Sequence, residues 1–302
     1  MHTMPTTMPS RYFPRCLAAL TFASVTVLVV YAIPIASETP RRVNPVANVT
    51  DLGQLAAFLG NGLISSDQGD FGLDRSDFIA APEVPGGLAL RVHYPAGTAS
   101  PHAAGGDPAR AGGLQAYLRF PGPADTAYLQ YQVRFQPGFD FVKGGKLPGL
   151  FGGSGGSGGD HRDDGFSTRY MWRKGGAGEL YAYLPGGSGF GTSLGRGTWT
   201  FPAGQWTTIQ QGVKLNTPGQ RDGVVTVWVN GQQVFSQNDV QLRNTDQLHI
   251  DGLFFSTFFG GGDQSWASPS DQYADFANFG VSDRYIPPPD AVSQPAQSAQ
   301  SR

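Results

Sequence analysis

Apolar positions along this chain fall in short runs that either alternate with polar ones or stay apolar between Gly, Pro and Asp punctuation, a pattern of period two rather than 3.6. Such runs occupy 87–94, 114–120, 127–135, 205–215, 224–229, 232–236, 248–258 and 273–281. Two more, 166–173 and 180–184, flank the turn Lys174-Gly-Gly-Ala-Gly178. Only 52–59 has a helical look. In the run from Val224 to Phe235, Asn230-Gly231 supplies the two positive φ values of a type I′ hairpin turn. About ten strands without interleaved helices predict an all-β, two-sheet antiparallel β-sandwich.

Composition supports that class: 43 Gly, 23 Pro and 12% aromatic residues against 15% charged ones suit many turns joining aromatic strands. The formal charge is −2 and no dense Lys/Arg cluster occurs, so the footprint of a nucleic-acid binder is missing.

The ends read differently from the middle. Arg11 and Arg15 precede an apolar run at 16–36, so 1–37 is expected to be a signal peptide or an N-terminal membrane anchor. Without it, 19 basic residues face 23 acidic ones, and an anionic partner has to be met by local cations. The single cysteine, Cys16, lies in this segment, so neither a disulfide nor a thiol nucleophile is expected in a processed chain. Residues 38–48 read as a linker, 49–283 as the folded domain and 284–302, rich in Pro, Gln and Ser, as a disordered tail. Secretion or export to a periplasm follows, with membrane contact only if the first segment is retained.

Candidate chemistry concentrates in 143–185. If Arg173 pairs with Glu179 across the turn, Arg169 falls opposite Tyr183 and Met171 opposite Tyr181. Ser167, Arg169, Tyr181 and Tyr183 then share one face. That face could be the solvent side of a half-exposed hairpin. Lys146, set among glycines in Gly144-Gly-Lys-Leu-Pro-Gly149, adds a second cation. Two cations and two phenols with no matching carboxylate expected on the face suggest an anion site.

These residues resemble polysaccharide lyase family 14, which includes alginate- and glucuronan-cleaving lyases on a β-jelly roll. The likeness rests on GGKLPGL, then SxR and YxY on successive strands, then 255–266 and 271–276, and it extends over about 61–281. It implies a concanavalin-like jelly roll and catalytic roles for Lys146, Ser167, Arg169, Tyr181 and Tyr183. The chemistry suits the residue types. Removing the C5 proton of a uronic acid builds enolate charge that Arg169 and Lys146 can stabilise. A tyrosine whose pKa is lowered by those cations can take the proton, and it or its partner can protonate O4 as the bond breaks by β-elimination.

Other motifs stay open. Asp160-His161-Arg162-Asp163-Asp164 is a charged surface loop or a calcium loop without regular ligand spacing, and His161 is a candidate substrate-binding lid residue. Trp266 is a candidate sugar platform or a core aromatic. No metal and no cofactor are called for, and a monomer acting on an anionic polysaccharide is expected. A glycoside hydrolase needs paired carboxylates, and the three glutamates, Glu38, Glu83 and Glu179, offer no such strand motif. A non-catalytic lectin is the remaining rival.

Overall fold

The structure, a computed structural model, describes residues 45–289. Strands β1 (Pro45–Asn48), β2 (Ile64–Phe71), β3 (Ser76–Ala80), β4 (Leu88–Tyr94) and β5 (Leu114–Ala124) open the chain, with helix α1 (Leu52–Leu59) after β1. There follow β6 (Thr126–Phe135), β7 (Gly144–Gly153), β8 (Gly165–Arg173), β9 (Gly178–Tyr183) and β10 (Thr192–Leu194). The last five are β11 (Thr207–Lys214), β12 (Gly223–Val229), β13 (Gln232–Val240), β14 (Ile250–Phe259) and β15 (Gln272–Ser282).

They form two antiparallel sheets, of eight strands ordered β1-β3-β4-β15-β6-β11-β12-β13 and of seven ordered β10-β9-β8-β7-β14-β5-β2. The expected sandwich is therefore present. Alternation along each strand supplies the core between the sheets: Leu129, Tyr131 and Val133 from one, Leu150, Phe166, Tyr170, Trp172 and Phe255 from the other. Polar contacts cross this core behind the candidate site. Gln211 and Thr168 exchange hydrogen bonds of 2.6 and 2.9 Å, and the Tyr131 hydroxyl donates to the Pro148 carbonyl at 3.0 Å. Both fix the backbone of β7 and β8, which carry the site cations.

Helix α1 starts where Asp51 accepts from the Gln54 amide at 2.9 Å and stops at Gly60, whose φ is 67°. No helix among the described residues is long and apolar enough to cross a membrane. The expected signal or anchor at 1–37 lies outside the described residues.

Both domain edges differ from expectation. Pro45–Asn48, the end of the stretch read as linker, is a strand paired with β3. After β15 the chain does not leave the fold at Asp283. Gln210 exchanges hydrogen bonds of 2.8 and 2.9 Å with the backbone of Ile286, and Tyr285 packs 5.2 Å from Trp228. Gln210 and Trp228 point outward from their strands, so the segment 284–289 straps the outer face of the eight-stranded sheet. Residues 290–302 of the expected tail lie outside the described residues.

Candidate active site

The outward face of the seven-stranded sheet holds the site. Across it, Tyr117, Phe254, Gly149, Arg169 and Tyr181 are successive register partners, and so are Phe258, Lys146, Met171 and Glu179. The hairpin register differs from expectation by two residues: Arg169 faces Tyr181, and Ser167 faces Tyr183. The cause is a tighter turn, with Lys174–Gly176 alone outside the ladder and the Arg173 amide bonded to the Ala177 carbonyl at 2.7 Å. A shift of two preserves which side chains share a face.

A bulge in β7 places Lys146. The register shifts between Leu147 and Gly149, with Pro148 at the irregularity, so Lys146 points outward while Leu147 and Leu150 enter the core. At Gly149 a Cβ would come within 2.2 Å of the Thr168 carbonyl oxygen, so only glycine lets β7 approach β8 beneath the guanidinium.

Lys146, Arg169, Tyr181 and Tyr183 line one cavity of about 210 Å³, with Gln115 and Phe258 on its floor and Ser157, Gly158, Phe190 and His102 among its walls. The Lys146 Nζ lies 3.7 Å from the centre of the Tyr181 ring and 2.7 Å from Met171 Sδ. Burial, then the positive charges of Arg169 and Arg173, hold its pKa well below the ordinary lysine value. Arg169 is 1% exposed. Its Nη1 donates to Ser256 Oγ at 3.1 Å, while Nε and Nη2 are buried with no partner.

Tyr181 corrects one expectation. Its pKa is pushed up to about 12, chiefly by burial and then by the neighbouring Tyr183 phenol, and the Arg173 charge does not offset this. Tyr181 therefore keeps its proton. The absent carboxylate is a second correction. Glu179 is on the same face, fully buried, and accepts from Arg173 Nε at 2.9 Å with Arg196 3.5 Å away. It neutralises Arg173 and leaves Lys146 and Arg169 as the cations facing the cavity.

The glycine-rich segment after β7 folds over the face. The Ser167 hydroxyl donates to the Gly156 carbonyl at 2.7 Å, and the Gly159 amide donates to the Tyr183 hydroxyl oxygen at 3.0 Å. Ser167 is fully buried and holds this cover rather than lining the cavity. His161 also stands behind the lining: its Nδ1 donates to the Leu184 carbonyl at 3.1 Å and its ring lies 4.9 Å from that of Tyr183. Trp266 packs on the backbone of Gly261 and Gly144 and is not among the residues that line the cavity. The acids of 160–164 are engaged within the loops: Asp160 with Arg162, Asp163 with the Gly186 amide, Asp164 with Ser154. Among the described residues no three His, Cys, Asp or Glu side chains converge as a metal site.

The family model for polysaccharide lyase 14 matches residues 83–279, which span every strand that contributes to the cavity. The chain belongs to polysaccharide lyase family 14. Among solved structures, the family-14 alginate lyase of Aplysia kurodai is 35% identical, with 79% of this chain and 98% of that one covered at a TM-score of 0.65. Alginate lyase vAL-1 from Chlorella virus is 25% identical over 79% of this chain and 99% of its own, at a TM-score of 0.64. Exolysin of Paramecium bursaria Chlorella virus 1 shares 41% identity over 56 residues, 18% of this chain, and the match spans only 8% of that relative's length. This family-14 domain also has lining residues that the hydrophobic pattern did not single out: Gln115, His102 and Phe190. Gln115 alternates with core residues on β5 and was legible as outward-facing, whereas His102 and Phe190 lie in loops that carry no periodic signal.

Proposed function

We propose that this polysaccharide lyase cleaves a polyuronate by β-elimination, with Arg169, Lys146 and the Tyr181–Tyr183 pair as its chemical groups. The observation that carries the reading is the unpaired guanidinium edge of Arg169, buried in a cavity beside Lys146. A fully desolvated cation with two free donors is costly unless an anion completes it, and a planar carboxylate matches a guanidinium edge. The alginate lyases among its relatives make alginate the first polymer to test.

In this reading the uronate carboxylate docks on Arg169, which stabilises the second negative charge as the enolate forms. Lys146 is the proton acceptor, because its lowered pKa supplies a neutral amine at a pH where an exposed lysine is fully charged. The C5–H bond breaks, its proton goes to Lys146 Nζ, and its electron pair forms the C4–C5 double bond. The C4–O4 bond breaks in turn, and O4 leaves with a proton from the Tyr181–Tyr183 pair. Tyr181 suits donation because burial keeps it protonated. This reverses part of the sequence-based expectation, in which a tyrosine took the C5 proton and Lys146 only neutralised charge.

The experiment is a panel of alginate, glucuronan and other polyuronates, read by ultraviolet absorbance of the unsaturated product. Product from at least one polymer, lost in the Tyr181→Phe, Tyr183→Phe double variant, is the expected result. Binding without product on every polymer would instead make the domain a lectin, and undiminished turnover by the double variant would remove the tyrosines from the mechanism.

A further inference from the structure

The lining of the cavity accounts for a carboxylate and for proton transfer, but a sugar ring also presents a face of C–H groups that needs an apolar partner. Most aromatic rings on the cavity are already committed. Tyr181 has Lys146 over it at 3.7 Å and Tyr183 at 5.7 Å between ring centres. Tyr183 is also backed by His161, and Phe258 is buried in a cluster with Phe71 and Ala111. Phe190 is different: it lines the cavity and yet is 66% exposed.

Its loop is shaped to hold it there. A Cβ on Gly191 would lie 2.9 Å from both Tyr181 and Tyr183, so glycine at that position lets the backbone next to Phe190 rest against the two phenols. Gly187 leaves room for His161, whose Nδ1 a Cβ would approach to 2.3 Å. The Phe190 ring spans the mouth, with one edge near Gly159 of the covering loop and its tip near Gly262 on the opposite wall. Neither neighbour has a side chain to cover the ring. A cavity of about 210 Å³ is smaller than the roughly 300–1,000 Å³ of drug-sized ligand pockets. It admits on the order of one sugar unit, which puts the adjoining unit at the mouth, beside Phe190.

From this placement we infer that Phe190 is a specificity-determining residue: its open ring face stacks on the uronate unit adjoining the one held by Arg169. The inference rests on the polyuronate reading of the same site. Phe190 binds substrate and takes no part in proton transfer, so its contribution falls on KM and on oligosaccharides long enough to reach the mouth.

The test compares wild type, Phe190→Ala and Phe190→Trp on whichever polyuronate wild type degrades. Phe190→Ala is expected to raise KM about five- to tenfold while kcat falls less than about twofold, as the loss of one aromatic stacking contact implies. Phe190→Trp should restore KM, and the melting temperature should be unchanged because the ring is mostly exposed. An unchanged KM in Phe190→Ala would overturn the inference, as would a fall in kcat that tracks a loss of thermal stability. If wild type yields no product, the lyase reading fails by itself. Calorimetric titration of wild type and Phe190→Ala with uronate oligosaccharides then decides the stacking claim: weaker binding by the variant supports it and equal affinity removes it.

Discussion

Two buried arginines lie on opposite outer faces of the sandwich, and they are built in opposite ways. Arg91, on β4, donates from Nε and Nη2 to the two carboxylate oxygens of Asp275 at 2.8 and 3.1 Å and stands 3.6 Å over the Tyr273 ring. Burial pulls its pKa down, and the hydrogen bonds and charge of Asp275 more than reverse the effect, so the net shift is upward. Arg169, on β8, has a neutral hydroxyl as its hydrogen-bond partner, and burial leaves its pKa lowered. The first arginine is completed from within the fold. The second keeps Nε and Nη2 without a partner from within the fold, the difference that under the proposed function separates a structural ion pair from a binding site made of the same residue type.

The largest effects come from breaking each arrangement in turn. Asp275→Asn leaves Arg91 buried without its counter-ion and also strips Arg134 of a carboxylate 2.9 Å away. It should cost about 3–5 kcal/mol in urea unfolding, with kcat per folded molecule preserved. Arg169→Met removes a buried, underpaired cation. Its stability should hold or rise, while kcat falls by about 10²–10³ because an interaction that strengthens toward the enolate is gone. Should Arg169→Met unfold as readily as Asp275→Asn, the contrast between the two sites collapses and Arg169 becomes a structural residue.

Lys146 sharpens the contrast through pH. Its pKa is lowered in the folded state, so the unfolded chain binds the extra proton between that lowered value and about 10.5. Stability contributed by this group therefore rises with pH across that window and is absent below it, with a slope of at most about 1.4 kcal/mol per pH unit. Lys146→Met should flatten the slope. Catalysis has the same sign: kcat/KM should climb as Lys146 loses its proton, and Tyr181, still protonated until about 12, imposes no fall at moderately alkaline pH. A profile that instead declines steadily from about pH 6 upward would rule out the neutral amine as the acceptor.

How much of this was legible follows from the rules each part obeys. Period two keeps Ser167, Arg169, Tyr181 and Tyr183 on one face for any even shift of register, so a two-residue difference in pairing changes no side chain's face. The same rule puts Glu179 on that face, where it is the carboxylate that pairs with Arg173. Strand β7 was hidden for a different reason. GGKLPGLFGG has the Gly and Pro of a loop, yet it is a central strand buried on both faces, its Pro tolerated at a bulge and its glycines required by the close approach of β8. The direction of the Tyr181 pKa was not legible, because neighbouring cations can be read from a sequence while the degree of burial cannot. Phe190 belongs to a loop, where position depends on contacts far apart in the chain.

The smallest expected effect concerns the strap across the face that carries Arg91. Its hold on the sheet includes the paired hydrogen bonds between Gln210 and Ile286, a longer one of 3.5 Å from Gln130 Nε2 to the Pro287 carbonyl, and the contact of Tyr285 with Trp228. Hydrogen bonds of this kind contribute about 1 kcal/mol each, so ending the chain after Ser282 should lower stability by about 1–2 kcal/mol. For a domain of this size that lowers the melting temperature by roughly 2–8 °C. KM and kcat should stay as they are, because the strap and the cavity lie on different sheets. A shortened chain that keeps its melting temperature would show that the strap contributes nothing to the fold. One that keeps its melting temperature but loses activity would be harder to reconcile with two independent faces, because it would mean that the sheet behind Arg169 transmits changes on the Arg91 side through the Gln211–Thr168 contact in the core.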